Sequence, residues 1–89
     1  MRMKIELKKN IKDYLFNNLK IENEDIFFQL KLSEKKSLGA EFNFDIEEDL
    51  LDEIRDWALD KQQIMGFDKD YDLNNEGKIL QEIIDKFYI

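Results

Sequence analysis

Between Phe42 and Asp60 the chain carries eight carboxylates and a single arginine: Asp45, Glu47, Glu48, Asp49, Asp52, Glu53, Asp56 and Asp60 against Arg55. Carboxylates this dense can do two kinds of work. A pair can share acid–base chemistry if burial raises the pKa of one member. A row of them on a surface can attract and orient a cationic partner. Spacing favours the second use. At 100° per residue, Glu48, Asp49, Asp52, Glu53, Asp56 and Asp60 fall opposite an apolar sector formed by Ile46, Leu50, Leu51, Ile54, Trp57, Ala58, Ile64 and Met65.

Residues 46–65 therefore read as an amphipathic helix whose acids project toward water, with Gly66 as its stop. Eight acid–acid neighbours at three- or four-residue spacing lie between Asp45 and Asp60. Each costs an exposed helix roughly 0.2–0.5 kcal/mol, and only Asp52–Arg55 compensates within the stripe. Leu59 breaks the polar pattern between Glu48 and Asp52, as an aliphatic anchor ringed by charge would. The expected partner-binding set is Glu48, Asp49, Asp52, Glu53, Asp56, Leu59 and Asp60. The competing reading is an ordinary solvated helix in an acid-rich chain.

No other chemistry competes with this face. The chain has neither His nor Cys, so the commonest general base and the strongest nucleophile are missing. Ser33 and Ser37 have no base partner in view, and Gly39, Gly66 and Gly77 are too scattered for a phosphate loop. The stretch from Asp68 to Gly77 alternates oxygen ligands as calcium loops do, but neither frame supplies both the glycine and the bidentate glutamate that an EF-hand requires. A turn followed by a helix cap at Asn74 or Asn75 explains the same residues. The expectation is a non-enzyme without cofactor or metal.

Charge is divided unevenly along the chain. Residues 1–36 hold nine Lys/Arg against six Asp/Glu, and residues 37–89 hold five against fifteen, for the overall −7. A negative molecule is a poor ligand for nucleic acid or an anionic membrane, where attraction to phosphate carries the affinity. The basic cluster Arg2, Lys4, Lys8, Lys9 and Lys12 is better placed to meet the acidic face, within the chain or across a homodimer. The N-terminus lacks the apolar run of a signal peptide and no 18-residue apolar stretch occurs, so the expected location is cytoplasmic.

The elements that must position these residues follow from periodicity. With 89 residues, 43% apolar, the chain suits one compact domain, residues 1–89. Alternation at Ile26, Phe28, Leu30 and Leu32, and again at Leu38, Ala40, Phe42 and Phe44, predicts a hairpin with strands 25–32 and 38–45 around the loop Ser33 to Ser37. In that register Leu32 faces Leu38, Leu30 faces Ala40, Phe28 faces Phe42 and Ile26 faces Phe44, and Phe27 is left on the polar face. Residues 2–8 alternate as a third strand, and Asn10 caps a helix over about 10–20. A single helix from about Lys4 to Leu19 also fits. A last helix spans about 75–88.

The expected fold is thus α+β, with helices packed on a small antiparallel sheet. The expected function is a small acidic protein-binding module: an inhibitor or immunity-type factor, bacterial or phage in character, for a basic toxin, nuclease or nucleic-acid-binding complex. A structural subunit of a homo-oligomer is the alternative.

Overall fold

The computed structural model describes residues 2–35, 39 and 41–88. It is an α+β fold with the element order β1 (Arg2–Leu7), α1 (Lys9–Glu22), α2 (Glu24–Leu32), β2 (Glu34–Lys35), β3 (Phe42–Glu47), α3 (Glu48–Met65) and α4 (Asn75–Lys86). The three strands form an antiparallel sheet in the order β1-β3-β2.

The sheet follows the expected alternation. Met3 pairs with Ile46, Ile5 with Phe44 and Leu7 with Phe42, so one face is apolar; Arg2 pairs with Glu47 and Lys4 with Asp45 on the other. Opposite charges directly across antiparallel strands reinforce this register, and a one-residue slip would expose the whole apolar set. Residues 2–7 are therefore a strand followed by a separate helix, which excludes a single helix from Lys4 to Leu19.

The expected hairpin is where sequence and structure part. Residues 24–32 form α2, not a strand. The buried residues are Ile26, Phe27 and Leu30, a helical spacing, whereas Phe28 and Leu32 are 53% and 84% exposed. The local signals for a helix were present. Asn23 accepts a hydrogen bond from the Ile26 amide at 3.3 Å, and Glu24 and Asp25 occupy the first turn. A carboxylate in the first turn and a cap just before it both satisfy orphan helix amides.

Phe27, expected on the polar face, instead packs edge-on against Phe16 at 5.6 Å, and Phe16 meets Phe44 of β3 at 5.9 Å. β3 consequently pairs with β1, and on its other side with two residues of β2: Glu34 with Phe44 and Lys35 with Asn43. The expected loop is thus partly strand. Ser37, Leu38 and Ala40 lie outside the described residues. The strand expected over 38–45 runs instead from Phe42 to Glu47, so Ile46 belongs to the sheet and α3 begins at Glu48. Asn10 is the second residue of α1, whose N-cap is Lys8.

One apolar core joins all the larger elements, from Ile5 and Leu7 of β1 through Leu15, Leu19, Leu30, Phe44, Leu51 and Ile54 to Leu80, Ile83 and Phe87. α4 is set against α3 at very close range. A Cβ built on Gly77 would lie 2.0 Å from the carbonyl oxygen of Gly66, so only glycine allows this approach. Gly66 is itself right-handed (φ −89°), so its role as a stop rests on space rather than on a left-handed cap. The buried Gln62 completes the joint, donating to the Gly77 carbonyl at 3.1 Å and to Gln81 Oε1 at 3.0 Å. Asn74 caps α4, accepting from the Gly77 amide at 2.7 Å.

Tyr14 of α1 donates to Glu76 Oε1 at 2.6 Å, tying α1 to the first turn of α4. Burial first, then Glu76 beside it, push the Tyr14 hydroxyl well above its ordinary value of 10.0.

Two stability outcomes follow from these joints. In urea titration, Gly77→Ala should lower stability by about 2–3 kcal/mol, because the added methyl forces α4 off Gly66. Tyr14→Phe should lose about 1 kcal/mol at neutral pH, since it leaves Glu76 without its donor. A hydroxyl whose folded pKa is raised stabilises fully below the unfolded value and loses that contribution as pH rises above it. The gap between wild type and Tyr14→Phe should therefore narrow above about pH 10. A gap that widened there would refute this assignment.

Candidate protein-binding site

α3 carries the acidic face, and the structure divides it into two flanks. The helix buries Leu50, Leu51, Ile54, Ala58 and Gln62. Relative to that line, Glu53, Trp57, Asp60 and Ile64 fall within about 60° of one another on one side, at 3.6 residues per turn. Glu48, Asp52, Arg55 and Leu59 fall on the other.

On the first flank α2 runs alongside. Asp25, Ile26 and Gln29 of α2, with Asn23, and Glu53, Asp56, Trp57 and Asp60 of α3 line a groove of about 550 Å³. Four carboxylates from two helices thus border one depression. No lysine or arginine among the described residues lies within ion-pair distance of Asp25, Glu53, Asp56 or Asp60.

A second depression of about 430 Å³ continues from it, sharing Trp57 and Asp60 and adding Glu22, Lys61, Ile64 and Met65. Its walls hold apolar side chains the sequence reading assigned to the core. Ile64 is 81% exposed and Met65 48%. They sit in the last turn of α3, between Gln62 and Gly66, which take the buried side against the start of α4.

Glu22 organises this end. Its Oε1 accepts from Trp57 Nε1 at 3.3 Å and its Oε2 accepts from the Lys61 ammonium, whose side chain is only 10% exposed. The Lys61 charge is thereby consumed in joining α1 to α3, and the half-buried Trp57 indole is fixed in orientation.

The second flank is less available. Asp52 is held by Arg55 at 2.9 Å, and the Arg55 guanidinium lies 5.7 Å from the Tyr88 ring. Leu59 is 37% exposed and is not part of either depression. Glu48 and Asp49 are exposed in the first turn of α3, where the helix dipole favours them.

The sequence-derived set is therefore brought together only in part. Glu53, Asp56 and Asp60 share a groove, whereas Glu48, Asp52 and Leu59 face elsewhere. The sequence pattern does not single out Asp25, Glu22, the half-buried Trp57 or the exposed Ile64 and Met65 as site residues. A strand over 25–32 places Asp25 on no groove; the Asn23 cap is the signal in the sequence that points to the helix instead.

The basic N-terminal cluster does not neutralise α3. Arg2 reaches Glu47 at 3.2 Å and Asp45 at 3.9 Å, both in β3; Lys9 pairs with Asp13 at 3.5 Å, and Lys12 with Glu34 at 3.9 Å. In the 68–77 loop, Asp68 Oδ1 accepts from the Asp70 and Asp72 amides at 2.9 and 3.1 Å, so that carboxylate closes a turn. No helix among the described residues is long and apolar enough to cross a membrane.

Comparison with known proteins finds no match: no family model, no curated protein and no solved structure.

The unpaired acids make a direct energetic prediction. Three of the four neighbours of Asp56 at three- and four-residue spacing, Asp52, Glu53 and Asp60, carry the same sign. Asp56→Asn should stabilise the protein by roughly 0.5–1 kcal/mol at low ionic strength, and the gain should shrink as salt screens the row. Thermal melts at two salt concentrations read this out; a destabilised variant would mean that Asp56 has a favourable partner.

Proposed function

We propose that this protein is a small, non-catalytic protein-binding module whose acidic α3 surface receives a basic surface of another protein. The observation that supports this most directly is the groove in which Asp25, Glu53, Asp56 and Asp60 converge with no ion-paired cation among the described residues. Like charges gathered in one depression destabilise the free protein and are relieved when an opposite charge enters. They also raise the encounter rate with a cationic partner.

In functional terms this is the role of an inhibitor or immunity-type factor. Such a protein covers the basic site of a toxin, nuclease or nucleic-acid-binding complex and stops it from engaging phosphate, and its action would be in the cytoplasm. A second reading, an assembly subunit that completes a homo-oligomer, draws support from Phe28 and Leu32. They lie four residues apart and exposed on α2. Salt separates the two, because charge-led binding weakens with ionic strength and apolar association persists.

Affinity capture from native cells tests the first reading. Asp56→Lys combined with Asp60→Lys reverses two exposed charges away from the core. At low salt the wild-type chain should retain a basic partner, and the double variant should recover about tenfold less of it. Equal recovery by both chains would rule out the acidic surface.

A further inference from the structure

The two depressions on the α2 side of α3 are one continuous track with different chemistry at each end. Asp25, Glu53 and Asp56 mark the acidic end, Ile64 and Met65 the apolar end, and Trp57 and Asp60 border both. We propose that this track seats a basic amphipathic helix of the partner protein. Its Lys or Arg residues would lie along the acidic end, and one large apolar side chain would fit against Trp57, Ile64 and Met65. The proposal rests on the reading of α3 as a partner surface and deepens it, by assigning an anchor and a direction.

Three observations carry it. From Glu53 to Ile64 the track covers about 16 Å of α3, or three helical turns, at 1.5 Å per residue, a length that one short helix can follow. Its apolar end is exposed although the side chains there are large: Ile64 is 81% and Met65 48% accessible. Aliphatic and aromatic surface of this kind gains when a partner removes it from water. Finally, among the described residues the one cation that lines the track is already taken. Lys61 is bound to Glu22, which also fixes Trp57, so the apolar end is preorganised and the acidic end keeps its charge.

Charge alone would accept any polycation. The apolar end adds selectivity, because an entering helix must present both features at the right separation. The exposed acids then steer, and the Trp57–Ile64–Met65 pocket holds.

Trp57 is the chain's only tryptophan, so its emission reports directly on the track. The probe is a synthetic helical peptide of about fifteen residues, built of Ala, with Leu anchors at one end and Lys along one flank. Two counterparts replace Leu by Ala, or Lys by Gln. The parent peptide should shift Trp57 emission to the blue and bind at least about tenfold tighter than either counterpart at low salt. Ile64→Asp, at an exposed position, should weaken it about tenfold while leaving the melting temperature nearly unchanged. Asp56→Asn with Asp60→Asn should do the same. Glu48→Gln with Glu82→Gln, at exposed positions in the first turn of α3 and in α4 that line neither depression, removes as much charge and should change affinity less than about twofold.

If Ile64→Asp binds the parent peptide normally while the Asp56/Asp60 variant does not, the apolar anchor is wrong and the acidic reading survives. If the Glu48/Glu82 variant loses as much as the Asp56/Asp60 variant, binding is unspecific charge attraction and the track is wrong. If no peptide binds at low salt, both readings fall.

Discussion

The contact on which the rest of the arrangement depends is the backbone approach of Gly77 to Gly66. It brings the start of α4 against the end of α3, with Gln62 bonded across the joint. Because that approach fixes which side of α3 faces α4, it also fixes which side stays open. The open side is the one that carries Glu53, Trp57, Asp60 and Ile64. A bulkier residue at either glycine would roll or lift one helix and redistribute both the core and the exposed face. A surface property of the protein therefore originates in a packing constraint some distance from it.

Around that joint, polar side chains do the orienting. Glu22 holds Trp57 and Lys61 from α1, Tyr14 holds Glu76 of α4, and Asn23 both ends α1 and starts α2. All three lie in one short segment of chain, residues 14–23, that touches α2, α3 and α4. Hydrogen bonds to charged groups are the stronger ones, so this segment sets the relative placement of the helices more firmly than apolar contact alone. Its consequence for the candidate site is that Lys61, which borders the second depression, is bound by Glu22 rather than by the acids of the groove.

The acidic row is also a stability cost retained in the fold. Asp45 proves to be in β3, which leaves the neighbours from Glu48 to Asp60 within the helix. Among the described residues only Asp52 of that row has an ion-pair partner, Arg55. Like charges together in a groove, beside half-buried Trp57 and exposed Ile64 and Met65, are features that folding itself does not need. Such departures from local consistency concentrate where proteins meet ligands. The same reasoning makes the second flank, already occupied by Arg55 and Tyr88, the less informative half of the helix.

The class of fold, the helical segments near 10–20, 46–65 and 75–88 and the inward pair Phe42 and Phe44 follow from the sequence alone, whereas strand against helix over residues 4–8 and the place of Ile46 were settled by the pairing of β1 with β3. The former are long or strictly periodic patterns, and their apolar faces leave few alternatives. The sequence also determined that α3 has an acidic side with Asp52–Arg55 as its one internal pair. Residues 25–32 were not determined: five apolar residues in a short run satisfy period two and period 3.6 alike, and burial of Phe27 against Phe16 decides for the helix. Only the tertiary structure could bring Asp25 beside Glu53, Asp56 and Asp60, or leave Ile64 and Met65 uncovered. A helical wheel gives the direction of each side chain from its own axis, whereas a groove exists only once a second helix has been placed.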